Sequence, residues 1–177
     1  VGLINVASGG TPVESWVDAE ILARKAKLEA MVTGNWLDNP ILDVWCKTRA
    51  RGNLKDGLLG VLEMAEDELG PNHIFKPGFM HDATIRPFQP MAIAGVLWYQ
   101  GESNAESLER VKQYDQVFPV LIESWRQGFQ FSKLPFAFVQ LPAMDRQFWP
   151  EFREYQRRSL DLVPNVGMAI TMDVGNR

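Results

Sequence analysis

An apolar run, Gly95-Val96-Leu97-Trp98-Tyr99, stops at Gln100-Gly101-Glu102-Ser103-Asn104. Every position of the run is small or apolar, the signature of a strand buried in a parallel sheet. A carboxylate, two carboxamides and a hydroxyl then follow within five positions. A chain with this feature needs a fold that buries a strand and opens a polar loop at its end.

Residues 2–6, 91–99, 136–141 and 166–172 all read as short buried strands flanked by turn residues. Helical patterns lie between them. Thr11-Pro12-Val13-Glu14 has the form of a capping box with Pro at the first helical position. It predicts a helix to about residue 32, stopped by Gly34. Ser103-Asn104-Ala105-Glu106 is a second such box, predicting a helix over 103–128 kinked at Pro119. A third helix is predicted over 149–162. This alternation specifies an α/β domain with a mainly parallel sheet. Residues 35–90 are less regular, with a helical piece near 54–69 and a Pro- and Gly-rich stretch from 70 to 90. They read as an insertion between two sheet strands.

Composition closes off several function classes. The chain has 177 residues, enough for one domain, and its 46% apolar content, six Trp and ten Phe oppose disorder. A net charge of −4 leaves no basic footprint for nucleic acid. No apolar run is long enough to predict a membrane span. Cys46 stands alone, without a disulfide partner or metal-ligand companions, and no metal site is predicted. The chain opens without Met on a predicted core strand and closes just after another. It therefore reads as the middle piece of a longer chain, incomplete at both ends.

In open α/β sheets, ligands bind at the carboxyl ends of strands. Ala7-Ser8-Gly9-Gly10-Thr11 follows the first predicted strand. Its glycines let backbone approach a ligand, or simply make a tight turn at positive φ. Gln100 to Asn104 follows the central strand. Ser103 and Glu106 suit a helix cap, whereas Gln100 and Glu102 are not needed for one. The Gln100 carboxamide suits donation to a developing oxyanion, and Glu102 could order donors or hold a substrate hydroxyl. Gly101-Glu102-Ser103-Asn104-Ala105 also has the outline of a G-x-S-x-G nucleophile elbow, with Ala at the last position. Both histidines, His73 and His81, precede Ser103, against the chain order of that fold. His81 lies where it could face a pocket. Trp98 could stack on a sugar or belong to the core.

Trp98-Tyr99-Gln100-Gly101-Glu102-Ser103-Asn104-Ala105 resembles the signature block of carbohydrate esterases of the sialate O-acetylesterase type, in the SGNH hydrolase superfamily. Val1-Gly2-Leu3-Ile4 with Gly9-Gly10-Thr11-Pro12-Val13-Glu14-Ser15-Trp16 resembles a second block of that family. Leu134 to Leu141 resembles its next strand, and Arg153-Glu154, Gln156 and Asp173-Val174-Gly175 its closing stretch. The resemblance implies a three-layer α/β/α sandwich of SGNH or flavodoxin-like type. It implies serine-dependent hydrolysis of O-acetyl esters on sugars, no cofactor, and an exported or periplasmic parent. Carried over, Gly10 (or Gly9) and Gln100 become oxyanion-hole donors, Glu102 and Asn104 supporting residues, and Gly9, Trp98 and His81 substrate contacts. The family's nucleophile block and its Asp-x-His element have no counterpart in these 177 residues. The expectation is an esterase parent and a chain inactive by itself, with an exposed sheet edge that invites self-association. The alternatives are a non-catalytic carbohydrate-binding or assembly module, or an α/β-hydrolase-like esterase that uses Ser103.

Overall fold

The computed structural model describes residues 2–56, 65–89 and 91–172. Its centre is a parallel sheet of β1 (Val96–Trp98), β2 (Phe136–Gln140) and β3 (Val166–Ile170), in that spatial order. The register sets Leu97 beside Ala137 beside Gly167, and Trp98 beside Phe138 beside Met168. Helix α3 (Leu108–Gly128) joins β1 to β2, and α4 (Trp149–Leu162) joins β2 to β3. Two right-handed crossovers stepping the same way put both helices on one face, and α3 does pack against α4.

That face is a dense aromatic core. Trp98, Phe136 and Phe138 point into it, all against Phe118 of α3. Trp98 also meets Trp16 and Trp125 edge to face, each with ring centroids 5.8 Å apart. The opposite face is bare among the described residues: Leu97 is 79% exposed, and Ala137, Gly167 and Ala169 are exposed in line with it. The α/β class and the parallel sheet are as expected. Of the three layers, the described residues fill two, the sheet and the α3/α4 layer.

Several local expectations are corrected. Residues 2–6 are not a strand; they pair with no other strand among the described residues, and Leu3 is 87% exposed. An apolar run becomes a strand only where a free ladder edge meets it. The strand expected over 91–99 shortens to β1. The long helix expected from residue 11 breaks into a 3₁₀ turn (Val13–Trp16), α1 (Ala19–Ala23) capped by Asp18, and a second 3₁₀ turn (Glu29–Val32). Its capping box never forms, because Thr11 hydrogen-bonds Ser8 and Trp16 and Glu14 is drawn into a buried ion pair. The second box dissolves too. Glu102–Asn104 is a 3₁₀ turn, and α3 starts later, with the Ser107 hydroxyl accepting the Arg110 N–H. It runs on through Pro119.

In the irregular region, α2 (Val44–Lys55) was missed; the Asp43 side chain caps it by accepting the Cys46 N–H at 2.8 Å. Of the helical piece expected near 54–69, residues 57–64 lie outside the described residues and 65–69 are not helical. The stretch after it carries a π-helical turn, His81–Ile85.

Candidate functional site

The site grows from the carboxyl end of β1. Gly101 there takes φ +151°, left-handed backbone that L side chains rarely adopt. A Cβ at Gly101 would stand 2.5 Å from the Phe152 ring of α4, so only glycine lets the chain turn at this point. The turn carries Gln100, Ser103 and Asn104 inward, all buried, and leaves Glu102 exposed.

These side chains clasp the glycine turn of residues 8–13. The Ser103 hydroxyl donates to the Gly10 carbonyl at 2.7 Å. Gln100 Nε2 donates to Thr11 O at 3.0 Å and to Asn104 Oδ1 at 2.7 Å, which uses both amide hydrogens. Gln100 Oε1 is buried and has no hydrogen-bond partner among the described residues. Asn104 Oδ1 also accepts the Val13 N–H at 2.9 Å. Gly9 and Gly10 stay exposed, with Gly10 at φ +76°. The Gly10 N–H has no acceptor among the described residues, so the turn presents an open donor.

Beneath the turn lies a charge pair that sequence reasoning missed. Glu14 and Arg110 are both buried and joined by an ion pair. Glu14 also accepts from Asn104 Nδ2 at 3.1 Å, and its backbone carbonyl accepts the Gly78 N–H at 3.0 Å. A buried carboxylate persists only when so paired. One signal was available: Arg110 lies on the stripe of α3 that also holds Tyr114, Val117, Phe118 and Leu121. A charge on an apolar stripe needs a buried partner.

Other candidates are placed elsewhere. Trp98 is only 7% exposed, inside the aromatic core, and presents no face for a sugar. His81 is fully buried, its Nδ1 2.9 Å from Asp82 Oδ1 and its Nε2 2.8 Å from Gln89 Nε2. It therefore does not reach a substrate pocket. Burial works against the Asp82 carboxylate, but His81 and Arg86 outweigh it and hold its pKa below the usual range. Burial pulls His73 down to about 4, so it is neutral near pH 7; its Nδ1 accepts the Phe75 N–H at 3.0 Å. Burial, then the Glu14 and Asp43 carboxylates, push the Cys46 thiol up, which makes it a packing residue rather than a nucleophile. Ser103 hydrogen-bonds Gly10, and both histidines hydrogen-bond other groups. Among the described residues, no three His, Cys, Asp or Glu side chains cluster as a metal site. No described helix is long and apolar enough to cross a membrane.

Known proteins are similar to this chain in sequence and fold. Sialate O-acetylesterases of Rattus norvegicus, Mus musculus and Homo sapiens match the whole chain at 31%, 30% and 28% identity. The chain spans about a third of their length: 34%, 34% and 30%. A carbohydrate acetylesterase from Xanthomonas citri superposes on 95% of this chain with a TM-score of 0.61 and 27% identity, over 29% of its own length. The profile of the family described as carbohydrate esterase, sialic acid-specific acetylesterase, matches residues 78–177, more than half of the chain. On that match, the chain belongs to the sialic acid-specific acetylesterase family of carbohydrate esterases.

Proposed function

We propose that these residues form the oxyanion side of an SGNH-type serine esterase that removes acetyl groups from O-acetylated sugars. The observation that carries this is the exposed, left-handed Gly10 with its open N–H, held by Ser103 and Gln100 from the WYQGESNA block. Such a donor stabilises the tetrahedral intermediate of acyl transfer. In this reading the nucleophile and the histidine base come from outside the 177 residues. Gly9 gives the turn its room, and Asn104 locks it to the buried Glu14. Gln100 fixes Thr11 beside the donor, and it reaches an oxyanion itself only by releasing the Thr11 carbonyl or Asn104. Glu102, exposed at the rim, is free to order an incoming hydroxyl.

The test is acetate release from an O-acetylated sialic acid by the full gene product, with Ser103→Ala and Gln100→Ala beside it. Ser103→Ala is expected to keep turnover within about tenfold, and Gln100→Ala to lose roughly a hundredfold in kcat. Turnover abolished by Ser103→Ala would make Ser103 the nucleophile and overturn the reading. Sugar binding without any turnover would favour a non-catalytic carbohydrate-binding module.

We also infer that the bare sheet face receives another polypeptide, a second copy when this chain is alone. Leu97 and Tyr99, at 79% and 61% exposure, support it.

A further inference from the structure

Five of the six tryptophans are buried to 7% exposure or less; Trp45 is 51% exposed. It stands on α2 against the glycine turn: its Cη2 lies 3.7 Å from where a Cβ on Gly10 would be. Phe75 backs the indole, with ring centroids 5.6 Å apart, and Phe75 is itself buried against His73. The ring is thus held in place while half its surface faces outward. Beside it runs a hollow of about 350 Å³ lined by Trp45, Thr48, Arg49, Gly52, Asn53 and Asp56. That volume lies within the range of small-molecule sites. Arg49, one turn along from Trp45, has no ion-pair or hydrogen-bond partner among the described residues. Its planar fork suits a carboxylate. Asp56, the carboxylate of the hollow, lies two further turns away, roughly 10 Å along the axis, where it suits hydroxyl groups.

We propose that Trp45 and Arg49 form a binding subsite for a pyranose that carries a carboxylate. The sugar ring stacks on the indole, and its carboxylate pairs with the guanidinium. A ring so placed brings a neighbouring ester towards the Gly10 N–H, and in that respect the subsite rests on the reading of Gly10 above.

The experiment titrates the chain with the methyl glycoside of N-acetylneuraminic acid and, in parallel, with neutral methyl N-acetylglucosaminide. Calorimetry and tryptophan fluorescence read binding. Both side chains are surface groups, so circular dichroism of each variant checks that it folds. The acidic glycoside is expected to bind, Trp45→Ala to weaken it at least tenfold, and Arg49→Gln to weaken it about tenfold with little effect on the neutral sugar. No binding of the acidic glycoside by folded chain overturns the proposal. So does binding unchanged in Trp45→Ala, or an equal effect of Arg49→Gln on both sugars. Binding needs no ester chemistry, so failure of acetate release with these binding results intact sinks only the esterase reading. Acetate release with no sugar binding sinks only the subsite.

Discussion

Asn104 Oδ1 accepts the Val13 N–H at 2.9 Å across 91 residues of chain, while its Nδ2 donates to Glu14. The carboxamide cannot be replaced by a carboxylate there, because two carboxylates would face each other away from water. Asn104→Asp is expected to cost about 3 kcal/mol at pH 7, more than Asn104→Ala. Arg110→Met, which leaves Glu14 buried and unpaired, is expected to cost about 3–5 kcal/mol. Adding Glu14→Leu to Arg110→Met should recover more than half of that loss. Urea unfolding of these four variants and of Glu14→Leu alone checks these expectations; an additive double variant would show that the pair is not coupled.

Gly101 has no room for a methyl group and holds positive φ. Gly101→Ala should cost about 3 kcal/mol or more, summing left-handed strain with displacement of Phe152. Phe152→Leu in the same chain should relieve part of it. A thermal melt of Gly101→Ala that matches wild type would contradict the packing described.

His73 fixes a pH window for stability. Its folded pKa, about 4, lies below the usual 6.5, so the unfolded chain binds the proton more readily in between. Stability is whole above pH 6.5 and falls as pH drops towards 4, by at most about 3 kcal/mol. Asp82, held below its ordinary range, adds its own loss only at still lower pH. Chemical denaturation between pH 7 and 4 measures the slope, and His73→Gln should flatten it.

With its bare sheet face open, the lone chain is expected to self-associate. Light scattering should find dimers or larger species at micromolar concentration, and Leu97→Lys should shift them towards monomer by placing charge on the face. A monomer at all concentrations would count against a second copy as occupant.

What the sequence determined alone was whatever rests on neighbours along the chain. Helix α4 and strands β2 and β3 follow from local periodicity, and they stand within two residues of where that periodicity places them. The polar block after β1 and the glycine turn were also legible as candidates, because glycines and clustered carboxamides after an apolar run are local signals. The tertiary structure decided what depends on distant partners. Two well-formed capping boxes gave way because Glu14 and Ser103 gained better partners about 90 residues away. Residues 2–6 had the composition of a strand but formed no ladder, since pairing needs an edge that local sequence does not encode. Trp98 and Trp45 are the same residue type. The first is enclosed by Trp16, Trp125, Phe118 and Phe136, and the second stands at the rim beside Gly10. Burial is a property of the packed assembly, so the sequence supplied the indoles and only the fold decided which one is free to meet a ligand.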